Sequence, residues 1–237
     1  MKRFVLVSAL ALTACAPPLT PDPLPPLSSS ALGQTLSLSG RAERWPGQAA
    51  TLRWVAGGAA IGEVAADGAF TVSAAQPPAG LPRVSLLTAL GLWEGADCSL
   101  NTVTLSRPGT EAFVLTSLPV GAPALGAANS PVVQPPQLRA QRGEAAVTLL
   151  YVPHDVTVSG QRVCRSRTSE PTVLLEEARS VNLALKIGWN ALAVQSRSTG
   201  QVQAFGQTIY RSTVTVQGDT LGSGVTWTFL SDSLPKP

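Results

Sequence analysis

The sequence predicts an all-β protein: antiparallel β-sandwich modules, two in number, behind a removable leader and a proline-rich tether. Three observations carry this. Apolar residues recur at a period of two in short runs, the pattern of half-buried strands. Glycine, proline and asparagine punctuate those runs, as turns between strands require. No segment sustains the three-and-four spacing of an amphipathic helix, and only Leu174 to Ser180 (LLEEARS) reads as a helical turn or two.

The leader comes first, over residues 1–14. Met1-Lys2-Arg3 supplies cationic charge, a nine-residue apolar run follows from Phe4 to Leu12, and Thr13-Ala14 precede Cys15. This is the profile of a secretory signal. The run is far shorter than the about 20 apolar residues of a membrane-spanning helix. Leu12-Thr13-Ala14-Cys15 resembles the lipobox of bacterial lipoproteins. The resemblance implies cleavage after Ala14 and acylation of Cys15, so that lipid chains hold the mature protein on a bilayer without crossing it. Acyl chains contribute about 0.8 kcal/mol per buried CH₂, and two or more are needed for firm anchoring. Ala16, which is not an aspartate, leans toward the outer membrane in an organism with two.

Residues 15–33 form the expected tether. Ala16 to Gly33 (APPLTPDPLPPLSSSALG) holds six prolines in eighteen residues. Proline fixes φ and removes an amide donor, so the stretch is expected to be extended and unpacked, with a reach of up to about 50 Å.

Residues 34–118 are the first expected sandwich. Leu36 and Leu38, Leu52 and Trp54, Phe70 and Val72, Val103 and Leu105, and Phe113 and Leu115 each alternate with polar or small residues. Asp67-Gly68 is a hairpin-turn dipeptide. The segment Gly62-Glu63-Val64-Ala65-Ala66-Asp67-Gly68-Ala69-Phe70 resembles the strand–turn–strand of carboxypeptidase-regulatory-like or transthyretin-like β-sandwiches, which implies a fold and no activity. Residues 119–136 (PVGAPALGAANSPVVQPP) read as a linker or a long crossing loop.

Residues 137–237 are the second expected module. Val147, Leu149 and Tyr151 alternate, then Val156 and Val158, then Val181, Leu183, Leu185 and Ile187, and finally Val225, Trp227 and Phe229. The segment Leu185-Lys186-Ile187-Gly188-Trp189-Asn190 is similar to a strand-turn motif of small β-rich bacterial lipoproteins.

Charge and cysteine usage narrow the function classes. Loss of Lys2 and Arg3 from 17 basic residues leaves 15 against 14 acidic, a near-neutral mature chain that gives no reason to expect a nucleic-acid partner. Arg162, Arg165 and Arg167 form the densest basic patch and read as a solvated loop face. With Cys15 assigned to lipid, Cys98 and Cys164 remain, and an even pair in an exported chain predicts a disulfide, two free thiols being the alternative.

Chemistry is sparse. A serine hydrolase wants Gly-x-Ser-x-Gly and a histidine base, and the former is absent. The single histidine, His154, lies between Pro153 and Asp155 in a predicted surface turn. No metal-ligand spacing, phosphate loop or dinucleotide fingerprint occurs, so no catalytic residue, metal or cofactor is expected. Carboxylate pairs such as Glu94 with Asp97, or Glu176 with Glu177, are the residual candidates for glycoside hydrolysis. Of five tryptophans, Trp54 and Trp227 fit core positions and Trp189 a turn, which leaves Trp45 and Trp93 as candidate ligand-stacking residues. The sequence thus predicts a non-catalytic envelope lipoprotein with a structural or protein-interaction role. A carbohydrate- or small-ligand-binding lipoprotein is the second reading, and an envelope hydrolase the third.

Overall fold

The computed structural model describes residues 17–92, 97–121, 136–170, 172–204 and 206–231. The lipobox with Cys15, together with Trp93, Glu94 and most of the 119–136 stretch, lies outside them.

In chain order the first elements are β1 (Ser28–Ser29), β2 (Ala31–Gly33), β3 (Leu36–Glu43), β4 (Ala50–Arg53), β5 (Ala60–Val64) and β6 (Ala69–Ala74). Then follow β7 (Val84–Ser85), the short helix α1 (Leu86–Ala89), β8 (Asp97–Asn101), β9 (Thr104–Leu105), β10 (Glu111–Leu115) and β11 (Leu118–Gly121). The rest are β12 (Gln137–Arg142), β13 (Ala145–Val152), β14 (Val156–Arg167), β15 (Val173–Leu185), β16 (Gly188–Ala204), β17 (Gln207–Asp219) and β18 (Val225–Leu230). The all-β expectation holds, and the alternating residues named above fall mostly in these strands.

Strand pairing closes a seven-stranded barrel in the order β3-β6-β5-β4-β11-β12-β18 and back to β3. The β5–β6 hairpin turns at Asp67-Gly68, where Gly68 takes φ +86° and its amide bonds to the Ala65 carbonyl at 2.9 Å. Side-chain branching disfavours that φ, which is why the turn needs glycine. Leu36, Leu52, Leu118 and Leu138 fill the barrel interior, all at 1% exposure or less.

Beside the barrel lies a long sheet in the order β13-β16-β17-β15-β14, with β8 and β9 on the outer edge of β14. The two parts meet at the β12–β13 hairpin, which splays open. β10 pairs with β13 at Phe113–Leu115, and β11 pairs with β12 at Leu118 and Pro119, so one bent segment fills the fork.

This wiring differs from two sandwiches in series. The barrel takes four strands from the expected first module, β11 from its junction with the expected linker, and two, β12 and β18, from the second module, and one hydrophobic core runs from Leu36 to Phe229. Burying an apolar face decides which strands pair, and that constraint ignores the boundary at residues 119–136. At the junction Trp189 is fully buried, stacked on Trp54 at 5.7 Å, and edge-on to Phe113 and Tyr151. Trp189 therefore lies in strand β16 and not in a turn.

Two further expectations are corrected. Leu174 to Ser180 is strand, part of β15, where Glu176 finds ionic partners on the two neighbouring strands and Arg179 pairs with Glu177 on the same face of β15. The proline-rich stretch is hydrogen-bonded to the sheet from Pro17 onward, although Leu24 and Leu27 stay exposed. Gln161 Nε2 and Ser180 Oγ both donate to the Asp22 carbonyl at 2.7 Å, and Asn182 Nδ2 donates to the Pro25 carbonyl at 3.0 Å. β1 then runs parallel to β15, and β2 pairs with β16. Prolines have no amide to offer a ladder, but their carbonyls accept, and polar side chains on the sheet face supply the donors.

Candidate functional site

The long sheet extends past the barrel as four strands, β14, β15, β17 and β16. Antiparallel and parallel register put Val158 beside Leu183, Gly160 beside Val181, Arg162 beside Arg179 and Cys164 beside Glu177. Opposed residues share a face, so one face runs from a hydrophobic core into a charged region. The core part holds Val158, Leu183, Val181, Val214 and Val216, closed over by Leu86, Leu90 and Leu92 of the α1 region. α1 itself starts on Ser85, whose Oγ accepts from the Thr88 amide at 3.1 Å.

Where the core ends, this face opens into a groove of about 500 Å³ lined by Arg162, Arg179, Glu177, Leu175, Tyr210 and Ser212, among others. Arg179 is fully engaged: Nη1 donates to the Leu90 carbonyl at 2.7 Å, and Nη2 and Nε donate to Glu177 Oε1 at 2.8 and 3.0 Å. Gly91 lets the guanidinium approach the chain, since a Cβ there would stand 2.5 Å from Arg179 Nη1. Arg162 is 6% exposed, and its one hydrogen bond runs from Nε to Cys98 Sγ at 3.0 Å. The basic patch is thus not a solvated loop: Arg162, Arg165 and Arg167 lie in β14, and Arg162 faces the core side.

Cys98 and Cys164 form the wall beside Arg162. Their sulfurs stand 2.20 Å apart and their Cα atoms 4.0 Å apart, directly opposed on β8 and β14. The predicted disulfide is present, and it fastens β8 to the edge of the sheet.

On the opposite face Glu176 is buried between two arginines, with Arg165 Nη2 and Arg211 Nε each 2.7 Å from a carboxylate oxygen. Arg211 Nη2 also donates to the Pro17 carbonyl, so this ionic cluster pins the start of the described chain. Glu177, adjacent in sequence, projects from the other face. Glu176 and Glu177 therefore do not converge, and a burial of 2% exposure with two cationic partners keeps Glu176 out of reach of substrate.

The rim of the extension is an open strand edge. β13 accompanies β16 only from Gly188 to Val194. Among the described residues no strand lies on that side of residues 195–203, and Ser196, Arg197, Ser198, Thr199, Gly200 and Gln201 are exposed. A register shift at Ser198/Gly200 and the charge of Arg197 are features that limit indiscriminate pairing at an edge.

The remaining sequence candidates fall elsewhere. Trp45 is half-buried, edge-on to Phe229 at 5.0 Å, with Nε1 donating to the Gln48 carbonyl at 2.9 Å, so it is a barrel-end residue and presents no stacking face over a pocket. His154 is half-buried in a bend, with Nε2 2.9 Å from Thr110 Oγ1. Among the described residues no three Cys, His, Asp or Glu side chains are grouped as a metal site would need, and no helix is long and apolar enough to cross a membrane. Arg162 and the open edge are what the sequence reading missed. The alternation Val156, Val158, Gly160, Arg162 already places that arginine on the core face, and this is the signal that could have found it.

No protein-family model matches the chain, and neither a curated protein nor a solved structure shows significant similarity to it.

Proposed function

We propose that this chain is an exported envelope lipoprotein, anchored through acylated Cys15, whose role is non-catalytic protein interaction through the free edge of β16. The observation that carries the interaction is that edge: among the described residues no strand pairs with residues 195–203 on one side, and an extended segment of a partner protein can join there as an added strand. The barrel serves as a rigid support, and the shared core makes the two sequence halves one body instead of separate sandwich modules.

The docked proline-rich stretch supports a particular presentation. Pro17 is held by Arg211 at the far end of the long sheet, and the two residues back to Cys15 span at most about 7 Å. An acylated Cys15 therefore keeps the extension close to the bilayer, where the tether read from sequence alone would have held the protein up to about 50 Å away. Ala16 after the lipid cysteine favours the outer membrane.

The test has two arms. Cys15→Ser should release the protein from the membrane fraction, and retention would remove the anchor. Thr199→Lys with Gln201→Lys should abolish cross-linking to a partner in intact envelopes while leaving fractionation unchanged. Unchanged cross-linking would remove the edge from the account.

A further inference from the structure

Two hollows and one ionic cluster compete for attention. One hollow, about 790 Å³ on the outer barrel wall, is floored by Ala49, Ala50, Ala65, Ala66 and Ala69, and its Arg53 is already bonded to the Gly58 carbonyl. In the Glu176 cluster both arginines already share one carboxylate, and Arg211 is also bonded to the Pro17 carbonyl. The groove beside the disulfide differs from both, because it is lined by an arginine, Arg162, with no carboxylate within ion-pair distance among the described residues.

A charge held against a hydrophobic core is stabilised by an ion-pair partner. Arg162 is 6% exposed and lines the groove, yet among the described residues no carboxylate lies within ion-pair distance of it. Its register partner is a second cation, Arg179. Like charges directly opposed on a sheet repel. Glu177 answers the charge of Arg179, and the Cys98 sulfur that meets Arg162 Nε is a weak, uncharged acceptor. Among the described residues the two Nη groups of Arg162 have no hydrogen-bond partner, and neither is a fully enclosed atom, so they present to the groove a planar fork, the geometry that takes a carboxylate in bidentate fashion.

The other end of the groove is of a different character. Leu175 and Tyr210 are opposed across β15 and β17 and are 45% and 48% exposed. From the Arg162–Arg179 rank to the Ser166–Leu175 rank is four residues of strand, about 13 Å at 3.3 Å per residue. A volume of about 500 Å³ lies within the range of small-molecule sites.

We infer that this groove binds a small organic carboxylate, its head on the Nη groups of Arg162 and its apolar body along Leu175 and Tyr210. The anion supplies the missing counter-charge, and Ser198 and Ser212 complete a polar side wall. The site shares Ser198 with the β16 edge and does not depend on the lipid anchor.

The test is calorimetric titration of the purified full-length protein with 4-phenylbutanoate, its neutral amide and inorganic phosphate. Binding of the carboxylate at least tenfold tighter than the amide is expected. Arg162→Gln should lower carboxylate affinity tenfold or more, and Tyr210→Ala, at an exposed position, should lower it several-fold. If Arg162→Gln does not fold, the amide comparison and Tyr210→Ala decide. Equal binding of carboxylate and amide, or no binding of either, would overturn the site. Phosphate binding as tight as the carboxylate, with Tyr210→Ala silent, would overturn the apolar half.

Discussion

Trp189 holds the barrel and the long sheet together. Fully buried, it touches three aromatic rings from β10, β13 and the end of β4, and its Nε1 donates to the Ala75 carbonyl at 2.9 Å. Trp189→Ala should cost about 3–5 kcal/mol in denaturant unfolding, the usual penalty for an aromatic cavity. A loss below about 1 kcal/mol would mean that the junction repacks. Asp219 is a second fixed point. Burial alone pushes its carboxyl up, but the Arg142 guanidinium and the Leu221 amide outweigh burial and hold it below the ordinary carboxylate range. A depressed folded pKa gives stability that is present above the unfolded value near 4 and is lost as pH falls through the folded value. Asp155, lowered chiefly by its hydrogen bond from Lys186, acts in the same direction. Asp219→Asn should therefore cost about 1–3 kcal/mol at neutral pH and flatten the fall in melting temperature between pH 5 and 2. An unchanged acid limb would contradict this origin.

Among the elements, strands that bury one face were legible and those that carry charge were not. Leu36 and Leu38, Phe70 and Val72, and Leu183 and Leu185 alternate as the core requires, and all six are buried. LLEEARS misleads because a glutamate buried between arginines from two other strands carries no sequence mark of its depth. The proline-rich stretch misleads for a related reason. Its composition reports the missing amides and cannot report the donors that wait on Gln161, Ser180 and Asn182. The cysteine pairing was read from compartment alone and left open; the register of β8 on β14 is what brings the two sulfurs together. Reduction should lower gel mobility and remove up to about 4 kcal/mol of stability on the chain-entropy model, and identical unfolding curves with and without reductant would mean the bridge carries no stability.

For the whole molecule, the sequence indicates its class and misplaces its seams. Local periodicity reports which residues face a core, but not that Leu52 and Leu138 face the same one. Long-range pairing such as β11 with β4, or β18 with β3, leaves no local trace. Among the described residues the result is a barrel bearing a sheet extension, with an open edge on β16 and a groove lined by Arg162. Glu176 and Glu177, adjacent in sequence, face apart. The central claim is that the β16 edge receives an added strand from a partner protein. Photo-cross-linking from Gln201 in intact envelopes, with and without Thr199→Lys, tests it most directly. The account predicts a discrete protein adduct at Gln201 that Thr199→Lys abolishes, with stability changed by less than about 0.5 kcal/mol. Absence of an adduct from Gln201, or an adduct indifferent to the lysine, would contradict it.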